Sequence, residues 1–251
     1  MIYHVDVTDG RTGILKRLLE ERGFKTEIYA PQAAQVKPSD TVVFSPAKKL
    51  SMEEASALPE NVTVVCGGIS GEVEKIIASK NITHRNIMLS EEFAIKNACL
   101  TAEGVLALIL EKSKKSIYEN NILILGNGRI ATALAVLLGK IGARFALVAY
   151  DKAKVPKHYI YTEHVFHGKE FLGHINKYDV LVNTIPAKIF SDEEVELIPK
   201  GAVLIETASV LCLDKNLAEN FEFVDAPGLP QKYSALSAAK LMMEYILGES
   251  L

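Results

Sequence analysis

Tryptophan is absent from the 251 residues, cysteine occurs three times, histidine six times, and neither sign of charge dominates, with 28 Lys and Arg against 31 Asp and Glu. Each scarcity excludes something. A net charge of −3 offers no positive footprint of the kind that neutralises a phosphate backbone, so nucleic acid is not an expected partner. The cysteines, Cys66, Cys99 and Cys212, are odd in number, far apart and set among apolar residues. That pattern predicts buried, reduced thiols rather than a disulfide framework, and a cytoplasmic chain. The start, Met1-Ile2-Tyr3-His4-Val5-Asp6, lacks the positive and apolar regions of a signal peptide. No later stretch reads as long enough to cross a bilayer, so no membrane association is expected. With 9 Pro and 16 Gly against 49% hydrophobic residues, the composition is that of a globular chain with a sizeable core, and the length suits one large or two modest domains.

The chain alternates short β-branched runs with longer helical patterns, the rhythm of a parallel α/β protein. Strands are expected at 2–7, 26–29, 42–44, 62–66 and 86–89, with helices beginning after Thr8-Asp9-Gly10 and at 52–57 and 73–79. These make a first domain over 1–97. Residues Thr101 to Tyr118 read as a helix joining it to a second βαβ series, with strands at 122–125, 145–149, 180–183, 203–206 and 221–224. The segment 235–251, apolar on nearly every side from Ala235 to Leu247, is expected to be helical, buried and packed back on the first domain, which leaves 98–234 as the second.

The most informative stretch is Ile122-Leu123-Ile124-Leu125-Gly126-Asn127-Gly128-Arg129-Ile130-Ala131, a buried strand running into Gly-x-Gly-x-x-Ala and then a helix. Gly126 allows a tight turn, Gly128 lets the backbone approach a pyrophosphate, and Ala131 permits close helix packing. Free N–H groups at the helix start face the negative charge, with Arg129 as an added cation. About 20 residues on, Asp151 ends the next strand, where a carboxylate accepts hydrogen bonds from an adenosine ribose. That favours NAD over NADP, although Lys152 and Lys154 could neutralise a 2′-phosphate.

These residues resemble the dipicolinate synthase A-subunit family and, more distantly, the D-2-hydroxyacid dehydrogenase group. The resemblance rests on Cys66-Gly67-Gly68-Ile69-Ser70, on Asn97 with Thr101-Ala102-Glu103-Gly104, and on the Gly126 turn. It continues through Asp179 to Pro186, Ala208-Ser209, and Ala226-Pro227-Gly228-Leu229-Pro230. It implies a Rossmann doubly wound parallel sheet joined to a smaller flavodoxin-like α/β domain. It also implies oxidation of dihydrodipicolinate, a small dicarboxylate, with NAD or NADP in sporulation, a homo-oligomer and a second synthase subunit. The chain departs from the family at Val210-Leu211-Cys212-Leu213, where Arg-Pro-Gly-Gly is usual, at Ala235-Leu236, at Tyr150, and at Asp6-Val7-Thr8-Asp9. A non-catalytic dinucleotide-binding regulatory or scaffold subunit, or a dehydrogenase for another carboxylate, are therefore the competing readings.

The reaction cleft is expected between the domains, at the carboxyl ends of the cofactor-domain strands. Gly126, Asn127, Gly128, Arg129, Ile130, Tyr150, Asp151, Asn183, Thr184, Ile185, Pro186 and Ala208 form the expected cofactor-binding set, the side chains of Asn183 and Thr184 being available to the nicotinamide or ribose. Thr101, Glu103 and Lys48 are the catalytic candidates, Lys48 or Arg129 being natural carboxylate partners. Thr101 with Glu103 reads equally well as a helix cap with a dipole-compensating acid. No histidine follows His174, so the late acid/base histidine of a simple 2-hydroxyacid dehydrogenase is missing. His158, His164, His167 and His174, in a hairpin-like stretch, read as surface residues, and no metal site is expected.

Overall fold

The computed structural model describes residues 1–30 and 35–249 apart from the side chain of Lys154, so the last two residues of the segment predicted over 235–251 lie outside it. The chain divides into two compact units, 1–97 with 230–251, and 98–229. In the first unit the order is β1 (Tyr3–Val5), α1 (Gly10–Glu21), β2 (Thr26–Ile28), β3 (Thr41–Val43), β4 (Lys49–Leu50), α2 (Met52–Ala57), β5 (Thr63–Cys66), β6 (Gly68–Ile69), α3 (Gly71–Ser79) and β7 (Thr83–Asn86). Helix α4 (Glu91–Ser113) is next. Then come β8 (Asn121–Leu125), α5 (Arg129–Lys140), β9 (Arg144–Ala149), α6 (Val155–His158), β10 (Val165–His167), β11 (Val180–Asn183), α7 (Asp192–Val195), β12 (Val203–Glu206) and β13 (Glu222–Asp225). The chain closes with α8 (Leu229–Tyr233) and α9 (Ala235–Leu247).

Five parallel strands in the order β2-β1-β3-β5-β7 make the sheet of the first unit, a flavodoxin-like winding, and β4 and β6 form a separate parallel pair. Its core gathers Val42, Phe44, Val64, Leu58 and Val73, and α9 packs along α1. The second unit is a six-stranded parallel sheet, β10-β9-β8-β11-β12-β13, the doubly wound order that reverses between β8 and β11. Its central strands are apolar in succession because helices cover both faces. In α5, Ala131, Leu134, Ala135 and Leu138 are fully buried, the i, i+3, i+4, i+7 stripe of a helix lying on a sheet.

Several expectations change. The long helix starts at Glu91 rather than Thr101, with Ser90 Oγ accepting from the Phe93 N–H at 3.3 Å, and stops at Ser113 because Lys114 is left-handed, φ 54°. Thr101 and Glu103 are therefore mid-helix, and the cap reading fails. The strand expected at 86–89 lies at Thr83–Asn86, since the Asn86 side chain accepts from the Met88 N–H at 3.0 Å and turns the chain into a short 3-10 segment. Cys99 is exposed, not buried, because α4 carries Ile95, Cys99 and Glu103 on one outward stripe four residues apart. By length and composition α4 could cross a membrane, against the expectation, but half of its apolar window is buried inside the fold. The hairpin-like stretch contains a parallel edge strand, β10, and His158 is 5% exposed rather than a surface residue. Burial, helped by Lys157, lowers the His158 pKa and favours a neutral ring.

One buried carboxylate ties the N-terminus of the first unit to β3. Asp40 accepts from the N–H groups of Ile2 at 2.7 Å and Lys37 at 3.0 Å and lies 3.1 Å from His4 Nε2. Burial alone raises its pKa, but these bonds outweigh that and hold it below the usual value. A carboxylate depressed on folding contributes stability that is present above its unfolded pKa and is lost as pH falls through its folded one. Urea unfolding should therefore give a stability plateau from about pH 8 to 5 and a decline below about pH 4. In Asp40→Asn the plateau should drop by roughly 1–3 kcal/mol and the acid limb should become shallower.

Candidate dinucleotide site

Because the strands of the second unit are parallel, one edge of its sheet collects the loops that leave β8, β9, β11 and β12. Gly126–Ile130, Tyr150 and Asp151, Thr184–Pro186 and Ala208 all stand there, just after Leu125, Ala149, Asn183 and Glu206. The turn after β8 is built on Gly126, whose φ of +121° is open to glycine and strained for other residues. A Cβ on it would stand 2.2 Å from Thr184 Oγ1 and 3.0 Å from Ile185 Cγ1. Thr184 is fixed in turn, its hydroxyl donating to the Leu125 carbonyl at 2.9 Å and its N–H to the same carbonyl at 3.0 Å.

Gly128 is different. A Cβ there would meet nothing within 4 Å, so the space above it is open. It is the N-cap of α5, and no side chain caps that helix, whereas α1, α2, α3 and α7 are capped by Asp9, Ser51, Ser70 and Ser191. Asn127 Nδ2 is buried without a partner among the described residues. An uncapped twelve-residue helix, clear space at its first turn and an orphaned donor beside it fit a bound diphosphate. Arg129 stands exposed on the first residue of α5 and Ile130 is half-buried. Asp151 is exposed, its Oδ1 accepting from the Ala153 N–H at 3.0 Å. Tyr150, 38% exposed, has its hydroxyl pushed up to about 12, chiefly by burial and with Glu194 adding to it.

The expectation for Asn183 needs correction, because its side chain is already spent. Asn183 is the register partner of Glu206, and both are completely buried. Its Nδ2 donates to Glu206 Oε1 at 2.8 Å, to Oε2 at 3.0 Å and to the Ile185 carbonyl at 3.0 Å, while Oδ1 accepts from the Ile185 N–H at 3.1 Å. Glu206 also accepts from the N–H of Ala208 at 2.9 Å and of Cys212 at 2.8 Å. Burial, with Glu206 beside it, pushes the Cys212 thiol up, so it stays protonated. This carboxylate, which sequence reasoning missed, organises both loops after β11 and β12. Its only signal was an acid closing the apolar run Val203-Leu204-Ile205.

Two of the catalytic candidates share α4 but not a face of it. Thr101 is buried and Glu103 exposed on α4, since two residues turn a helix by about 200°. Lys48, in the first unit, forms an ion pair with Glu54 at 2.8 Å, so it is not a free carboxylate partner. Among the described residues no group of three His, Cys, Asp or Glu is placed to hold a metal ion.

Fold and turn together define a Rossmann-type doubly wound domain, and comparison with known proteins agrees on the fold. Residues 101–217 match the family described as D-isomer specific 2-hydroxyacid dehydrogenase, NAD binding domain. Over nearly its whole length the chain is similar to the A subunit of dipicolinate synthase of Bacillus subtilis (strain 168), 23% identical over 240 residues that cover 93% of this chain and 81% of that protein. Among solved structures, the dipicolinate synthase A subunit from Bacillus halodurans has a TM-score of 0.82 at 19% identity, covering 98% of this chain and 95% of its own. Its counterpart from Bacillus subtilis has 0.80 at 18%, covering 98% and 94%.

Gly126→Ala should melt earlier, by the equivalent of about 1–3 kcal/mol, from backbone strain and the Thr184 contact. Calorimetry should find its NAD affinity at least about tenfold weaker. Glu206→Gln keeps the shape but turns an NH2 toward donors, and should lower stability by roughly 1–3 kcal/mol in urea titrations.

Proposed function

We propose that the chain is a nicotinamide-dependent oxidoreductase of the dipicolinate synthase A-subunit type, using NAD to oxidise dihydrodipicolinate. The observation that carries this is the uncapped N-terminus of α5 with the unpartnered Asn127 Nδ2 beside the Gly126 turn. The similarity along 93% of the chain supports the substrate. In this reading Gly126–Ile130 hold the diphosphate, Asp151 takes the adenosine ribose and favours NAD over NADP, and Thr184, Ile185, Pro186 and Ala208 border the nicotinamide end. Asn183 and Glu206 act indirectly, by holding those loops still.

When bound, the nicotinamide accepts a hydride. Loss of that hydride and a proton from a dihydropyridine ring yields an aromatic pyridine, so the chemical drive lies in the substrate and the protein's main task is positioning. Thr101, Glu103 and Lys48 remain the proposed polar groups of the reaction, Lys48 only after leaving Glu54. The proposal includes a cytoplasmic setting in sporulating cells, a homo-oligomer and a second synthase subunit.

One feature favours a second reading, a dinucleotide-binding subunit without catalysis. Val210, 49% exposed, stands where a carboxylate-gripping arginine is usual in the resembling family. The two readings separate in one assay. Purified protein given NAD and dihydrodipicolinate, with and without its partner subunit, should raise absorbance at the reduced-nicotinamide band. Asp151→Ala should weaken NAD binding about tenfold, as loss of a charged hydrogen bond does. NAD binding with no absorbance change under any condition supports the second reading.

A further inference from the structure

The first unit holds a buried charged cluster at the start of α1. Arg11, 3% exposed, lies in the first turn of α1 and clamps Asp9, with Nε 3.0 Å and 3.3 Å from Oδ1 and Oδ2 and Nη2 2.6 Å from Oδ2. Ser45 Oγ accepts from Arg11 Nη2 at 3.1 Å and donates to Asp9 Oδ2 at 2.7 Å. The Gln231 amide, turned nitrogen-first, donates to both Asp9 oxygens at 3.0 Å. Asp9 is thus saturated, and burial, which raises its pKa, is overcome by these bonds, so it stays ionised.

A buried ion pair adds little net stability over apolar packing. As a helix cap it is also excessive, since α3 is capped by Ser70 alone and α2 and α7 by a serine with one glutamate in a capping box. The arrangement does achieve orientation. Asp9 and Ser45 consume the Nε and Nη2 donors and lock the guanidinium plane, leaving Nη1 with no hydrogen bond among the described residues. Nor is Nη1 among the atoms sealed from solvent without a partner. The place matters as well. With the order β2-β1-β3-β5-β7 the winding reverses between β1 and β3, and ligands of doubly wound sheets bind at that crevice, beyond the carboxyl ends of the strands. Arg11 comes after β1 and Ser45 after β3, so the two stand at that switch point.

We propose that Arg11, held by Asp9 and Ser45, is a carboxylate-binding residue of the first unit and receives one carboxylate of the substrate on Nη1. The inference deepens the carboxylate-substrate reading above and rests on it. Because Asp9 neutralises the guanidinium charge and already caps α1, recognition comes from the fixed donor geometry of Nη1, which suits the planar oxygens of a carboxylate.

The test is calorimetric titration of the full chain with pyridine-2,6-dicarboxylate in saturating NAD, alongside a separate NAD titration. Wild type should bind the dicarboxylate. Arg11→Gln should weaken that binding by about 10- to 100-fold while NAD affinity stays within about twofold. Arg11→Gln strands a buried Asp9, so Arg11→Lys, which keeps the charge and loses the fork, decides the matter if the first variant does not fold; it should weaken binding at least about tenfold. Equal dicarboxylate affinity in wild type and Arg11→Lys overturns the proposal, as does a wild type that binds NAD but no dicarboxylate at millimolar concentration. Failure of NAD to bind condemns the reading of the second unit instead, and the dicarboxylate titration without NAD then still decides Arg11.

Discussion

The second unit turns on a missing methyl group. At Gly126 the chain leaves β8 with a positive φ, and Thr184 fills the space a side chain would have taken. Because Thr184 is bonded to the carbonyl of Leu125, the ends of β8 and β11 are joined where the strand order reverses. From that junction α5 starts with its first N–H groups uncapped and directed at the open space above Gly128. Had Gly126 carried a Cβ, either Thr184 or the start of α5 would have to move, and the cradle would lose its shape.

Behind the junction lies a buried carboxyl group that pairs with no cation among the described residues. Among the described residues Glu206 is held by dipoles, two bonds from one amide and two from backbone N–H groups, with the Cys212 thiol beside it. Such full satisfaction makes burial of an acid tolerable, and it makes the surrounding loops rigid. The first unit shows a related device in Asp9 and Arg11, where charge is cancelled locally and only geometry is left to present. In both units, polar groups at the carboxyl edge of a parallel sheet fix the loops there.

Much of this was legible beforehand. Helices α2 and α9 fall within the bounds read for them, and β11 and β12 coincide with their apolar runs, since a doubly covered strand writes itself as continuous hydrophobicity. The Gly-x-Gly-x-x-Ala turn was readable because each small residue answers a separate steric demand. Other features were not. β7, Thr-His-Arg-Asn, is polar and resembles a loop until its pairing with β5 is seen. The early start of α4 was hidden because Glu91 to Asn97 mix charge with apolar residues, which displaced Thr101 from helix end to helix interior. Asn183 read as an available amide because spacing cannot say which side chains are spent on each other across strands. Arg11 and Glu206 escaped notice because the partners that complete their settings, Ser45 and Asn183, lie 34 and 23 positions away, a distance no local pattern spans.

The central claim is that the first turn of α5 receives a dinucleotide diphosphate. Amide hydrogen exchange, read residue by residue with and without saturating NAD, tests it most directly. The account predicts marked slowing at Gly128 through Ala131, whose N–H groups would be bonded to phosphate oxygens, with little change in β13. Unaltered exchange in that turn under saturating NAD would contradict it.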